Sequence, residues 1–367
     1  MNIGKNQHPH AYNLNIETGI KEFSAFAGWF LSITTPMLYQ HTNSRYHQAN
    51  LSETSILKNH PAPPILLLGI LFGFGLIGSR FSLGQFALID FVGLRLTLAS
   101  LGFIALILLS RGKQTWPKGG LLWQRSTILG VFGTAVPMMA FVGSMQFQSS
   151  GITSVLITLS PAITVLLAHF MLEDECLTLP KSIGIALAFS GALFLALRGE
   201  SGLASIEQAN PAGYGLVFLG IACASWSNIY IRKKMDSFAV MDVAAIRMIS
   251  AAFVMLPVML LTTNTNYHQV NISGWVGLIL VAVFGTFFAF LLDFSNIQRF
   301  GASTAVMVSY FIPVVGVWGG ALLLDEQITS GMLGGMLLIL AGLWLVMRRQ
   351  TTRVHDSNER DIEKGCE

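Results

Sequence analysis

The chain repeats itself. At an offset of 152 positions Arg80 is matched by Arg232, Asp90 by Asp242 and Arg95 by Arg247. The series continues with VFGT at 131–134 and again at 283–286, then Gln146 with Gln298 and Pro161 with Pro313. After a one-residue slip, Glu175, Thr178, Gly184 and Gly191 are matched by Glu326, Thr329, Gly335 and Gly342. Chance supplies two or three such pairs, not an ordered series through most of the chain. One structural unit has been duplicated, and whatever the chain folds into must be built from it twice.

Hydropathy says what the unit is. The 367 residues are 53% apolar and only 11% charged, with a mean hydropathy of +0.60, whereas soluble domains carry about 25% charged residues. A membrane span needs about 20 predominantly apolar residues. Such stretches are expected at 62–79, 87–109, 125–145, 150–171, 181–197, 213–231, 241–262, 275–297, 302–323 and 330–348. The expected fold is an all-α membrane protein of ten transmembrane helices, five in 62–197 and five in 213–348. Five is odd, so the second unit enters the membrane from the opposite side. The two units are then inverted repeats about an axis in the membrane plane, as in many secondary transporters.

Residues 1–60 are poorly patterned, apart from an interfacial or re-entrant segment expected at 23–38, and 349–367 form a polar tail. Lys and Arg in the short connectors set the orientation. One side carries Lys58, Arg111, Lys113, Lys118, Arg125, Lys181, Arg232, Lys233, Lys234, Arg299, Arg348, Arg349 and Arg353, against Arg80 and Arg198 on the other. Both ends of the membrane domain are therefore expected in the cytoplasm, with the protein in the plasma (inner) membrane.

Composition also excludes function classes. A net charge of +3 is too small to imply a nucleic-acid partner. Cys176, Cys223 and Cys366 have no paired spacing, and of eight histidines only His169 falls in an expected span. No metal site, cofactor or catalytic residue is expected. A membrane enzyme would need a clustered His/Asp/Glu set or a Ser/His pair inside the spans, a channel would need rings of charge or carbonyls, and an ATP-driven pump would need a Walker-type loop. A secondary transporter is the leading expectation, and a non-transport membrane protein, enzyme or sensor, is the alternative. The partners expected are a small-molecule substrate and the lipid bilayer, with a homodimer compatible.

The repeated motifs carry a family resemblance. An Arg early in the second span (LRLTLAS, Arg95), a VFGT-type third span, Ser160-Pro161, an acidic E-x-L-T turn (Glu175 to Thr178) and a last span with Gly184 and Gly191 recur as IRMISAA, VFGT, Pro313, EQIT and Gly335 with Gly342. The chain resembles the drug/metabolite transporter superfamily, specifically its EamA-type ten-span members, over roughly residues 62–348. The resemblance implies a 5+5 inverted-repeat bundle, a central substrate cavity, and export or exchange of amino acids or related metabolites. The chain departs from that pattern at Asp293, where such proteins usually carry an aromatic or aliphatic residue.

Arg95 and Arg247 lie about a third of the way into their spans, and a mid-span Arg costs about 2.5–3.5 kcal/mol on insertion scales. They contact an anionic substrate group or gate the cavity, or they snorkel and bond carbonyls to fix helix depth; the structural reading comes first. Asp293 is expected about 8 Å above the inner end of its helix, at 1.5 Å per residue. That is nearly the depth of Arg247, so the two are expected to approach. The equivalent position in the first unit is Phe141. Gly133, Thr134, Gly285 and Thr286 either allow close helix packing or line the cavity. Pro161 and Pro313 free a carbonyl and are hinge candidates. Trp226, Tyr230, Tyr310 and Phe311 could stack on a substrate, although packing and interface anchoring explain most such residues. Asp90 and Asp242 read as first-turn carboxylates favoured by the helix dipole. Glu175 and Glu326 read as turn and capping groups of the last span in each unit.

Overall fold

A computed structural model describes residues 62–109, 116–172, 177–203, 210–235, 238–262, 265–296 and 307–347. The segment 23–38, the tail, Glu175 and the beginning of the expected ninth span lie outside the described residues. Among the described residues there are helices and no strands. In chain order these are α1 (Ala62–Ser82), α2 (Leu88–Leu109), α3 (Gly120–Ser144), α4 (Ser150–Met171), α5 (Leu179–Arg198), α6 (Pro211–Lys234), α7 (Val240–Thr262), α8 (Ile272–Asn296), α9 (Val308–Leu324) and α10 (Ser330–Met347). The first eight are long and apolar enough to cross a membrane, and α9 and α10 are shorter apolar helices.

Long apolar runs of this kind form helices, because lipid offers no partner for a free backbone group and a helix satisfies every one within the run itself. Starts and stops are marked locally. Ser149 accepts a 3.0 Å bond from the Ile152 amide at the head of α4, and Asn210 accepts one of 2.9 Å from Ala212 at the head of α6. Gly199, at φ 63, closes α5 in the left-handed conformation. The outward faces are apolar. Leu261 is 86% exposed, Leu197 79% and Phe253 77%, a degree of apolar exposure that soluble proteins avoid and lipid accepts.

Inside the bundle, helices equivalent in the sequence repeat exchange partners. α1 packs on α9 as α6 packs on α4; α3 packs on α6 as α8 packs on α1; α3 packs on α7 as α8 packs on α2. α2 pairs with α7 and α5 with α10. The α5–α10 pair is antiparallel. A Cβ on Gly184 would stand 2.6 Å from the Gly342 carbonyl oxygen, and one on Gly191 would stand 2.9 Å from that of Gly335. Only glycine permits backbones to meet this closely.

One local expectation is corrected. Glu326 does not cap the helix that follows it. Thr329 Oγ1 takes that role, accepting 3.1 Å from the Met332 amide, while the Glu326 carboxylate turns to the head of α4 and accepts from Ser150 N (2.8 Å), Ser150 Oγ (2.8 Å) and Gly151 N (3.1 Å). The carboxylate needs orphan amides, and the first turn of α4 offers buried ones. Asp90 stands in the first turn of α2, as expected, and its Oδ2 also accepts 2.9 Å from the Thr265 amide beyond the end of α7.

Candidate functional site

Both VFGT segments are π-helical: Val131–Ala135 inside α3 and Val283–Phe288 inside α8. A π turn widens the hydrogen-bond register by one residue and leaves carbonyls without their usual i→i−4 donor, which is why such turns recur at functional sites. Thr286 fills part of the gap, its hydroxyl donating 3.2 Å to the Val281 carbonyl. Arginines from other helices add donors to each turn.

Arg95, on α2, crosses to α8. Its Nε donates 2.6 Å to Thr286 Oγ1 and its NH2 donates 3.1 Å to the Gly285 carbonyl. Arg247, on α7, crosses to α3, where its Nε donates 2.5 Å to Thr134 Oγ1 and its NH2 donates to the Gly133 carbonyl. Each arginine therefore clasps the π turn that lies in the other sequence repeat. Both guanidinium groups are buried, each residue 6% exposed, and several charge-assisted bonds to aligned acceptors offset the cost of a cation at this depth. Small residues let the elements approach: a Cβ on Gly285 would stand 2.8 Å from Gly75 Cα.

The surroundings of the two arginines differ. Arg95 NH1 donates 2.8 Å to Ser79 Oγ, which in turn donates 2.5 Å to the Gly75 carbonyl. Arg247 has Ile231 at the position equivalent to Ser79. Instead its guanidinium carbon stands 5.5 Å from the ring centres of both Phe290 and Phe294, within cation–π range. Asp293, half-buried on the same helix, interacts electrostatically with it. The structure thus brings Arg247, Gly133 and Thr134 together, and separately Arg95, Gly285 and Thr286; among the described residues no ion pair within 4.0 Å joins Asp293 to Arg247. Sequence reading missed Ser79, Phe290 and Phe294; no spacing signal points to them, because each is one apolar or hydroxyl residue among many.

The remaining expected residues are placed elsewhere. Trp226 on α6 makes an edge contact with Phe132, ring centres 6.2 Å apart, and a tilted one with Tyr230 at 5.1 Å. Tyr310 is half-buried against the cluster around Ile152, Leu156 and Val317. Phe311 is 37% exposed, and its Cβ would be 2.5 Å from a Cβ built on Gly69. α4 is interrupted at 158–159, and Pro161 sits in the first turn of the segment that resumes at Ser160, whereas Pro313 lies inside α9. Among the described residues no group of three or more His, Cys, Asp or Glu could hold a metal ion.

The chain is similar to several known proteins. An uncharacterized transporter of Archaeoglobus fulgidus is 24% identical over 78% of this chain and 98% of its own length. The uncharacterized transporter YoaV of Bacillus subtilis is 27% identical over 77% of this chain and 94% of its own. A probable amino-acid metabolite efflux pump of Salmonella typhimurium is 25% identical over 53% and 67%. A solved crystal structure with 18% identity has a TM-score of 0.55, covering 81% of this chain and 98% of that one, a likeness of fold alone. The sequence profile of the EamA-like transporter family matches twice, over residues 64–197 and 211–348. With both halves of its helical bundle matched, the chain belongs to the EamA-like transporter family and is a multi-pass membrane transporter.

Proposed function

We propose that the protein is a secondary transporter that exports or exchanges small metabolites such as amino acids, working by alternating access around two inverted five-helix units. The observation that carries this reading is the exchange of clasps: Arg95 holds Gly285 and Thr286, and Arg247 holds Gly133 and Thr134. A contact between two units and the same contact with the roles reversed are what a two-fold axis relating them generates. The antiparallel meeting of Gly184 with Gly342 and of Gly191 with Gly335 supports an axis perpendicular to those helices. Two such ties of similar make allow two states of similar energy, one opening to each side.

In this reading Arg95, Arg247, Asp293, Gly133, Thr134, Gly285 and Thr286 line or gate the substrate path, Trp226 and Tyr310 flank it, and the interruption before Pro161 and the proline at 313 serve as hinges. The orientation is the one the connector charges favour, with the domain ends in the cytoplasm. The experiment is flux of a labelled metabolite panel in proteoliposomes, with and without a pH gradient. Movement of at least one small metabolite is expected; a folded protein that moves none of them overturns the proposal.

A further inference from the structure

Arg247 reaches further than Arg95. Arg95, on α2, bonds Gly285 and Thr286 on α8 and Ser79 on α1, and α8 packs on both α1 and α2. That clasp stays among packed neighbours. Arg247, on α7, bonds Gly133 and Thr134 on α3, which packs on α7. Yet its guanidinium carbon also lies over the rings of Phe290 and Phe294 on α8, 5.5 Å from each centre. α3 has its packing partners in α6 and α7, and α8 has its own in α1 and α2. One side chain thus joins two helices that are held by different neighbours.

Arginine suits such a bridge, because its N–H donors point outward in the plane of the guanidinium while its flat faces attract aromatic rings. The edge serves α3 and a face serves α8. A spacing of four residues puts Phe290 and Phe294 on one side of α8, their ring centres 6.4 Å apart. Phe290 is itself braced from α1, where Phe72 meets it edge-on at 5.9 Å with 86° between the planes. In the sequence repeat the positions equivalent to Phe72, Phe290 and Phe294 are Ala224, Met138 and Val142. The row of rings belongs to one clasp alone.

We infer that Phe290 and Phe294 are positioning residues that keep the Arg247 guanidinium against α8, making Arg247 a latch between α3 and α8 that has no counterpart at Arg95. Attraction between a cation and a ring face requires no directed hydrogen. Sliding α8 away from Arg247 therefore strands no buried donor or acceptor on α8, and the bonds to α3 stay made. The Arg95 clasp lacks that freedom, since its ties to Gly285, Thr286 and Ser79 are all hydrogen bonds, and parting them leaves buried polar groups without partners. In the transporter reading, release of this latch is a step of access from one side, and only in that clause does the inference rest on that reading.

The test is amide hydrogen exchange of the full chain in detergent, read by mass spectrometry over 131–135 of α3. Phe290→Leu together with Phe294→Leu alters α8 alone, yet exchange across 131–135 should quicken by about 5-fold or more, the low end of coupling between linked sites. Phe290→Tyr, which keeps the ring, should leave that exchange as in the native chain. On an Arg247→Met background the leucine pair should add nothing further. If the rings only fill space, exchange on α3 is unchanged, or it quickens by the same factor with Arg247 present and absent; either result overturns the inference. Should the leucine pair or Arg247→Met not fold, Phe290→Leu against Phe290→Tyr decides alone: faster exchange at 131–135 with leucine only upholds the latch, and equal exchange overturns it. Flux is measured separately in proteoliposomes. Ring-dependent loosening of α3 in a protein that moves no metabolite removes the transporter reading and spares the latch. Flux by a protein without that loosening removes the latch and spares the transporter reading.

Discussion

Arg95 and Thr286 are joined by a 2.6 Å bond from Nε to Oγ1, although 191 positions separate them in the chain. The equivalent bond, Arg247 to Thr134, measures 2.5 Å and runs between the reciprocal pair of helices. Together they tie the π turn of each sequence repeat to an arginine of the other. A tie of this kind couples two units mechanically, because neither arginine can move without giving up a buried, charge-assisted bond.

The coupling is measurable as a free energy. Thr286→Val removes an acceptor of a charged donor and should destabilise the protein by about 1–3 kcal/mol, and Thr134→Val by a similar amount. In double-mutant cycles read from thermal unfolding in detergent, Arg95→Gln and Thr286→Val should couple by about 0.5–3 kcal/mol, whereas Arg95→Gln and Thr134→Val, which share no contact, should add. Additivity in both cycles would show that the clasps carry no energy.

Asp293 breaks the symmetry. The first unit has Phe141 at its place, and among the described residues Asp293 acts electrostatically on Arg247 while burial alone acts on Arg95. Asp293→Asn should therefore destabilise the protein, and adding Arg247→Met should cost less on the Asp293→Asn background than on the native one, with a coupling of about 0.5–3 kcal/mol. Equal cost on both backgrounds in the same unfolding measurement argues that the two side chains do not sense each other.

Glycine-to-glycine contact holds α5 against α10. Gly184→Val puts side-chain atoms where the Gly342 carbonyl oxygen stands, 2.6 Å from the new Cβ, and overpacking of this sort costs about 1–3 kcal/mol. A lower melting temperature is expected for Gly184→Val and for Gly342→Val, and less than additive loss in the double variant, since the first substitution already parts the helices.

Glu326 holds the head of α4 from the end of α9. Glu326→Ala strands the amides of Ser150 and Gly151 in a buried site, a loss of about 1–3 kcal/mol. Amide hydrogen exchange should quicken at Ser150 and Gly151 more than at the far end of α4; uniform exchange along the helix would contradict this assignment.

Connector charge makes a topological prediction. Lys118 and His268 are both exposed, and they are expected on opposite faces of the membrane. In intact cells lacking other reactive thiols, an impermeant maleimide should label His268→Cys from outside and leave Lys118→Cys untouched until the membrane is opened. The reverse pattern inverts the orientation.

Much of the fold was written in local sequence. Among the described residues the runs of apolar residues fall on the helices, since a helix satisfies every backbone group of a long apolar run within the run itself. Thr329 and Glu326 show where local reading stopped. Both look like caps for the helix that follows, but only Thr329 bonds there, and Glu326 bonds to α4, 175 and 176 positions away. Orphan amides exist at every helix head, and nothing nearby in the chain says which head a carboxylate will reach.

Sequence by itself determined the helical class, the duplicated motifs and the presence of a basic residue at equivalent depth in two spans. Tertiary structure alone decided that Arg95 clasps Gly285 and Thr286 and not the glycine and threonine of its own repeat, that Arg247 gains Phe290 and Phe294, and that Arg80 shares a cavity with Glu326. The reason is physical. These helices are apolar on nearly every face, and lipid is as apolar as leucine, so hydrophobic patterning does not tell which face meets which neighbour. Close packing at glycine and the need of each buried polar group for a partner make that choice, and both act between residues far apart in the chain.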